Sequence, residues 1–271
     1  ESHGLENEIV RDVKDAIDLG YRLFECAHAY NEKLIGRAIR GKIKEGKVKR
    51  EDLFITSKLW CNRADLVESA LKTTLKNLGL DNLDLYLIQW PLAFPEVEDL
   101  HLKNRQDCSE ADYAETWKAM EVVYRKNLTK AIGVSNFSSQ QIDKILNICT
   151  VFPQVNQVEC HPYLNQIVLR KYCRDNAIKV MAHSPLGDSR TDTNSSSFDL
   201  LNNDRIEAIA ERYGKTPAQI LLRYNLQLEN VVTSKSCKKG ELLENINIFD
   251  FYLAPEDMSL INNFDEKREI R

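Results

Sequence analysis

Apolar and polar positions along this chain switch repeatedly between two periods. In "ENEIVRDVKDAIDLGY" (residues 6–21), Ile9, Val13, Ala16 and Ile17 recur at helical spacing until Gly20 interrupts them. "RLFECA" (22–27) then packs its apolar residues into a run short enough for a buried strand. "NEKLIGRAIRGKIKEG" (31–46) returns to the helical period and stops at Gly46, and "DLFITSKLW" (52–60) reads as a strand. "RADLVESALKTTLKNLG" (63–79) is the cleanest amphipathic stretch, with Leu66, Ala70, Leu71, Leu75 and Leu78 on one predicted face, and the strand "LDLYLIQW" (83–90) follows it.

The alternation runs to the end. Strand-like runs occur at "TKAIGVSN" (129–136), "PQVNQVEC" (153–160), "IKVMAHSPL" (178–186) and "NVVTSKS" (230–236), and helical stretches such as "YAETWKAMEVVYRKN" (113–127) and "TPAQILLRYNLQ" (216–227) lie between strands. Two longer irregular stretches, near 94–109 and 187–202, read as loops, and the Ser/Thr/Asn/Asp-rich "GDSRTDTNSSS" (187–197) is expected to be mobile. No change of composition divides the chain, so residues 1–271 are expected to form one domain.

Strands alternating with helices predict a parallel sheet joined by helical crossovers. Seven strands are legible, whereas a closed (β/α)8 TIM barrel needs eight, typically in about 250 residues. The chain opens directly on a helix, which places the first barrel strand outside the sequence. An open doubly wound sheet is the alternative, against which stands the lack of a G-x-G-x-x-G turn after any strand.

Composition narrows the partners. With 43% apolar and 29% charged residues the chain reads as globular rather than disordered or membrane-embedded. A net charge of −4 argues against nucleic acid or an anionic membrane as partner. No apolar run approaches the roughly 18 residues of a membrane span. Seven scattered cysteines, an odd number, read as free thiols in a reducing, cytoplasmic compartment.

In a βα barrel, chemistry gathers where the strands end. The predicted strand ends carry Glu25 and Tyr30, Lys58, Gln89, Ser135 and Asn136, Gln157 and Glu159, His183 and Ser184, and Lys235 and Ser236. Any one of these has a bland reading as a solvated cap, but seven strands ending this way point to a shared pocket. A tyrosine beside a lysine suits proton donation, because a nearby cation lowers the phenol pKa from about 10. Glu25 can hold that lysine. Ser135, Asn136 and Gln157 suit a carboxamide such as that of nicotinamide, and Lys235 with Ser236 near a helix start suits a phosphate. A zinc site drawn from Cys26, His28, Cys160 and His161 lacks C-x₂-C or H-x₃-H spacing, and no local signature supports a Cys/His nucleophile pair.

"DAIDLGYRLFECAHAYNE", "ITSKLW", "LYLIQWP", "AIGVSNF", "NQVECHPYL", "SPLG" and "KS…EN" follow in an order and spacing that resembles the aldo-keto reductase superfamily, closest to its animal aldose/aldehyde reductase branch, from about residue 5 to the C-terminus. The resemblance implies a (β/α)8 barrel that acts as a monomer and transfers hydride from NADPH to aldehydes and ketones without a metal. It makes Tyr30 the acid, Lys58 its pKa-lowering neighbour and Glu25 the lysine's partner. It sets Ser135, Asn136, Gln157, His183, Ser184, Leu186, Lys235, Ser236, Glu241, Glu244 and Asn245 around the cofactor. The family's opening strand with its G-x-G-T-like turn and its long C-terminal loop have no counterpart here, so an incomplete chain is expected.

The departures carry information too. Glu25 stands where the family has Asp, and "AHAYNE" is one residue shorter than the usual Y-x-N-E, a shortening after Tyr30. Gln89 replaces the substrate-orienting His of "L-I-H-W-P", and His183 replaces the Tyr that stacks on nicotinamide. Glu241 stands where an Arg grips the adenosine 2′-phosphate, with Lys238 and Lys239 close by in sequence. Gln can still donate an N–H to a carbonyl oxygen but cannot titrate. Two functions remain open: a carbonyl reductase with altered rate that uses NADP(H) or also NAD(H), or a barrel that has lost efficient catalysis and serves in ligand binding or structure.

Overall fold

The computed structural model describes residues 2–26, 31–60, 64–92, 113–187, 199–234, 236 and 238–264. They group into two compact units, Glu1–Asn156 and Gln157–Arg271. Most of the irregular stretch near 94–109 and nearly all of "GDSRTDTNSSS" lie outside the described residues.

The first unit runs α1 (Ser2–Asp18), β1 (Leu23–Glu25), α2 (Glu32–Lys44), β2 (Phe54–Leu59), α3 (Val67–Leu78), β3 (Leu85–Ile88), α4 (Tyr113–Arg125), β4 (Ile132–Ser135) and α5 (Ser139–Leu146). Its strands pair in sequence order and in parallel, with Leu23 opposite Phe54, Thr56 opposite Leu85 and Tyr86 opposite Ile132. Every residue of β3 and β4 is buried, as expected of parallel strands covered on both faces. The N-terminal ends of β2 and β3 are clamped by the buried Asp84. Its carboxylate accepts from the Ile55 N–H, Lys130 and Arg50, each at 2.8 Å.

Helices α2 and α3 pack unusually close. A Cβ added to Gly36 would run into the Leu78 backbone, so only glycine permits the approach. The Arg40 guanidinium donates to the Leu78 carbonyl, and Gly79 at φ +67 ends α3 in the left-handed conformation. Helix α3 starts at Val67, later than its periodicity predicts, because residues 64–66 form a single 3-10 turn. Its buried positions are Val67, Leu71, Thr74, Leu75 and Leu78, with Leu66 and Ala70 only half-buried. A purely apolar stripe omits Thr74, whose hydroxyl is buried because it donates to a carboxylate on α2, that of Glu32.

The second unit takes up β5 (Val155–Glu159) from its third residue and continues with α6 (Ile167–Asp175), β6 (Lys179–His183), α7 (Asp204–Tyr213), α8 (Pro217–Gln227), β7 (Val231–Val232), α9 (Lys239–Ile246) and α10 (Pro255–Asn262). Strand β6 lies between β5 and β7 and pairs in parallel with β7, Met181 opposite Val231. Helix α8 is set by its first residues. The Thr216 hydroxyl accepts from the Gln219 N–H, the Gln219 side chain returns to the Thr216 N–H, and Pro217 occupies the first turn. Ile206, Ile209, Leu221, Tyr224, Ile261 and Phe264 form the core beneath α7, α8 and α10.

The described residues thus hold seven strands in parallel βα alternation. None of their helices is long and apolar enough to cross a membrane.

Candidate active site

Side chains alternate between the two faces of a strand, so Ser57 and Lys58 of β2 point to opposite sides. Lys58 shares a face with Thr56, which is paired in register with Glu25 at the end of β1. Across that face Lys58 Nζ lies 2.6 Å from Glu25 Oε1, with the two side chains 11% and 19% exposed. A carboxylate and an ammonium so close and so shielded fix each other in place. The next residue, Cys26, is fully buried. Burial first, then the carboxylates of Glu32 and Glu25, push its thiol far above the ordinary range, so it stays protonated and unreactive. Tyr30, predicted to be the acid, lies outside the described residues.

Ser57, on the other face of β2, reaches a second carboxylate. Glu32, the first residue of α2, is 3% exposed. Ser57 Oγ donates to its Oε1 at 3.2 Å, Thr74 Oγ1 to the same oxygen at 2.9 Å, and Asn77 Nδ2 to Oε2 at 3.1 Å. Glu32 was not among the residues singled out from the sequence. An acidic residue in the first turn of a helix ordinarily faces water, and its partners lie 25 to 45 positions away.

Gln89 follows the last residue of β3. Its N–H donates to the Leu59 carbonyl at 3.2 Å, and its own carbonyl accepts from Asn136 Nδ2 at 3.0 Å, so neighbouring strand ends hold its backbone from both sides. Its side chain is half-buried. Asn136 has φ +64 and donates also to the hydroxyl of the buried Ser135, at 3.2 Å. In this unit, therefore, Glu25 meets Lys58, and Asn136 meets both Gln89 and Ser135.

In the second unit Gln157 of β5 is fully buried, with Nε2 donating to Met181 Sδ on β6. His183 ends β6, half-buried, with Nδ1 3.4 Å from Ser184 Oγ. Ser184 (φ +48) and Gly187 form a tight turn, closed by the Gly187 N–H donating to the Ser184 carbonyl at 2.9 Å. Leu186 packs, partly buried, against the helical core. Glu159 Oε1 lies 3.0 Å from Nε2 of the buried His161. Of the zinc alternative, His28 lies outside the described residues, and no cluster of three or more His, Cys, Asp or Glu side chains occurs among the described residues.

Lys235 also lies outside the described residues. Beside it in sequence, Ser236 Oγ donates to Glu241 Oε2 at 2.8 Å and accepts from the Lys238 N–H at 3.3 Å, while Lys238 Nζ lies 2.9 Å from Glu241 Oε1. Lys238 first and then Ser236 hold the Glu241 carboxyl below its ordinary range. One anion is thus already gripped where α9 begins. Further along α9, Glu244 Oε1 accepts from the Thr216 hydroxyl at 2.7 Å, and Asn245 is buried.

Known proteins match this chain almost throughout. The pattern of the aldo/keto reductase family covers residues 5–266. "Aldo-keto reductase family 1 member A1" of Gallus gallus is 45% identical over 96% of this chain and 82% of its own length. The Homo sapiens protein of the same name is 45% identical over 92% of this chain and 79% of its own. "Aldo-keto reductase family 1 member C23" of Equus caballus is 44% identical over 96% of this chain and 84% of its own. With ion-paired Glu25 and Lys58 at adjacent parallel strand ends and matches of this extent, the chain belongs to the aldo/keto reductase family.

Proposed function

We propose that this protein is an NAD(P)H-dependent oxidoreductase that reduces aldehydes and ketones to alcohols, built as one (β/α)8 barrel domain and acting as a cytoplasmic monomer. The observation that carries the reading is the shielded ion pair between Lys58 and Glu25. A free lysine would spend its charge on water; one held by a carboxylate presents a fixed cation to whatever lies beside it. In this reading the Tyr30 hydroxyl gives its proton to the carbonyl oxygen, and the Lys58 ammonium eases that transfer by favouring the phenolate left behind. Gln89 donates an N–H to the same oxygen and orients it. The thiols of Cys26 and Cys149 accord with a reducing compartment.

When bound, the nicotinamide cofactor supplies the hydride. The donor chemistry for it is present in each unit taken separately: the Ser135 hydroxyl and Asn136 amide in one, the Gln157 amide, His183 ring and the Ser236–Lys238 pair in the other. The grip of Ser236 and Lys238 on the Glu241 carboxylate is direct support that this segment takes an anion. Glu244 and Asn245 of α9 would contact the adenosine end, and Ser184 and Leu186 would border the cofactor.

The test is reduction of a panel of aldehydes by purified protein with NADPH and with NADH, alongside Tyr30→Phe. Turnover lost in the Phe variant, with its circular dichroism unchanged, supports the assignment. Nucleotide binding without turnover of any carbonyl would instead make the protein a ligand-binding barrel, in which Gln89 marks the loss of catalysis.

A further inference from the structure

Helix α6 covers the sheet poorly. An amphipathic helix ordinarily buries an apolar stripe, yet of the nine residues of α6 only Cys173 is buried, against seven in α8. Its first two residues, Ile167 and Val168, are 58% and 79% exposed. Between α6, the start of β6 and the turn ahead of β7, the second unit leaves a groove of about 600 Å³. Ile167, Val168, Ile178, Val180 and Leu228 form its apolar wall. Lys179 and Val180 begin β6 and Asn230 precedes β7, so the groove lies at the opposite ends of these strands from His183 and Thr233.

Cations gather on the same groove although the chain as a whole is acidic, at −4. Arg170, Lys171, Arg174 and Lys179 line it, and Glu229 is the one carboxylate among the described residues that does. Lys171 is paired with Asp175. Arg170 donates from Nη1 to the Asn165 carbonyl at 3.1 Å, while its buried Nε has no hydrogen-bond partner among the described residues. Arg174 and Lys179 are exposed, and neither makes a side-chain hydrogen bond or ion pair among the described residues. An apolar bed thus runs into cations that the protein itself leaves uncompensated. The volume suits a small molecule, since such sites run from about 300 to 1,000 Å³, whereas a stable protein partner covers about 800 Å² on each side.

We propose that this groove binds a linear amphiphile with one carboxylate, of the fatty-acid kind, at a site separate from the strand-end residues. The hydrocarbon chain lies along Ile167, Val168, Ile178, Val180 and Leu228, and burial of its methylenes drives binding. The carboxylate meets Arg174 and Lys179, which select the head group.

Decanoate is the probe, titrated into the whole chain with isotope-labelled Ile, Leu and Val methyl groups and followed by nuclear magnetic resonance. Saturable shifts are expected at the methyls of the five wall residues. Decanoate should bind about tenfold or more tightly than hexanoate, because four methylenes fewer are buried, and about tenfold more tightly than decanol, which lacks the charge. Arg174→Glu combined with Lys179→Glu should weaken decanoate by about tenfold or more and leave decanol unaffected. Both side chains are exposed and unpaired among the described residues, so the fold should survive, and methyl signals away from the groove report whether it does. Decanoate shifts confined to other methyls, equal affinity for decanol, or undiminished binding in the reversed variant would overturn the proposal. Saturation of the wall methyls by an acidic amphipathic peptide and not by decanoate would overturn it too, making the groove a protein-docking face.

Discussion

Lys58 Nζ and Glu25 Oε1 stand 2.6 Å apart across the ends of two parallel strands. Glu25 is one methylene longer than the Asp that the family pattern has there, and the pair still closes. Replacing Glu25 by Gln leaves a neutral acceptor and frees the ammonium to move. Carbonyl reduction should fall by about tenfold or more, within the range ascribed to general acid–base groups, while nucleotide affinity holds. Steady-state kinetics of Glu25→Gln and Glu25→Asp would check this: Asp should keep more of the rate than Gln, and the reverse order would remove the pair from the mechanism.

Among the described residues Gln89 is held by its backbone, through Leu59 and Asn136. A substitution there should therefore change chemistry without moving the chain. Gln89→His introduces a group that titrates near neutral pH, and kcat should rise by around tenfold if the amide limits the rate. A His variant no faster than the parent would place the limit elsewhere, with the one-residue shortening after Tyr30 the next suspect.

Glu241 occupies both Ser236 and Lys238. A 2′-phosphate must compete with that carboxylate for the same donors, whereas a 2′-hydroxyl can hydrogen-bond to it. NADH should then bind within about tenfold of NADPH, about 1.4 kcal/mol, and Glu241→Arg should widen the gap in favour of NADPH. Dissociation constants for both nucleotides decide it; strong NADPH selectivity already present in the parent would show that the carboxylate yields its donors readily.

Asp84 links acid stability to the frame rather than the site. Burial alone would raise its carboxyl, but Lys130, the Ile55 N–H and Arg50 outweigh it and hold the group below its ordinary value. A depressed folded pKa contributes stability above the unfolded value, about 3.9, and that contribution disappears as pH falls through the folded value. Asp84→Asn should cost about 1–3 kcal/mol near neutrality, and the deficit should shrink below about pH 4. Urea melts at neutral and acidic pH would reveal it, and a deficit independent of pH would deny the charge a role.

Much of this architecture is written in short-range pattern. Every strand-like run in the sequence contains an observed strand, because a parallel strand buried on both faces must be a compact apolar run and nothing else nearby looks like one. The start of α3 was not legible: Ala64 to Leu66 have helical composition but form a 3-10 turn. The polar strand ends were visible as residue types, and Glu25 with Lys58 as a pair that chemistry would favour. Glu32, Thr74 and Asn77 were invisible, since their meaning lies in hydrogen bonds between positions far apart in sequence. Lys238 was legible as a nearby charge, but not that it would spend that charge on Glu241.

Gly36 lies four residues after Glu32, one turn further along the same face of α2, with no room for a side chain against Leu78. The helix seam that brings Thr74 and Asn77 within reach of Glu32 is therefore the seam that Gly36 keeps narrow. A single methyl group at 36 would therefore part the helices and carry the Thr74 and Asn77 donors away from the Glu32 carboxylate, so one added carbon on α2 reaches a charge a full turn away.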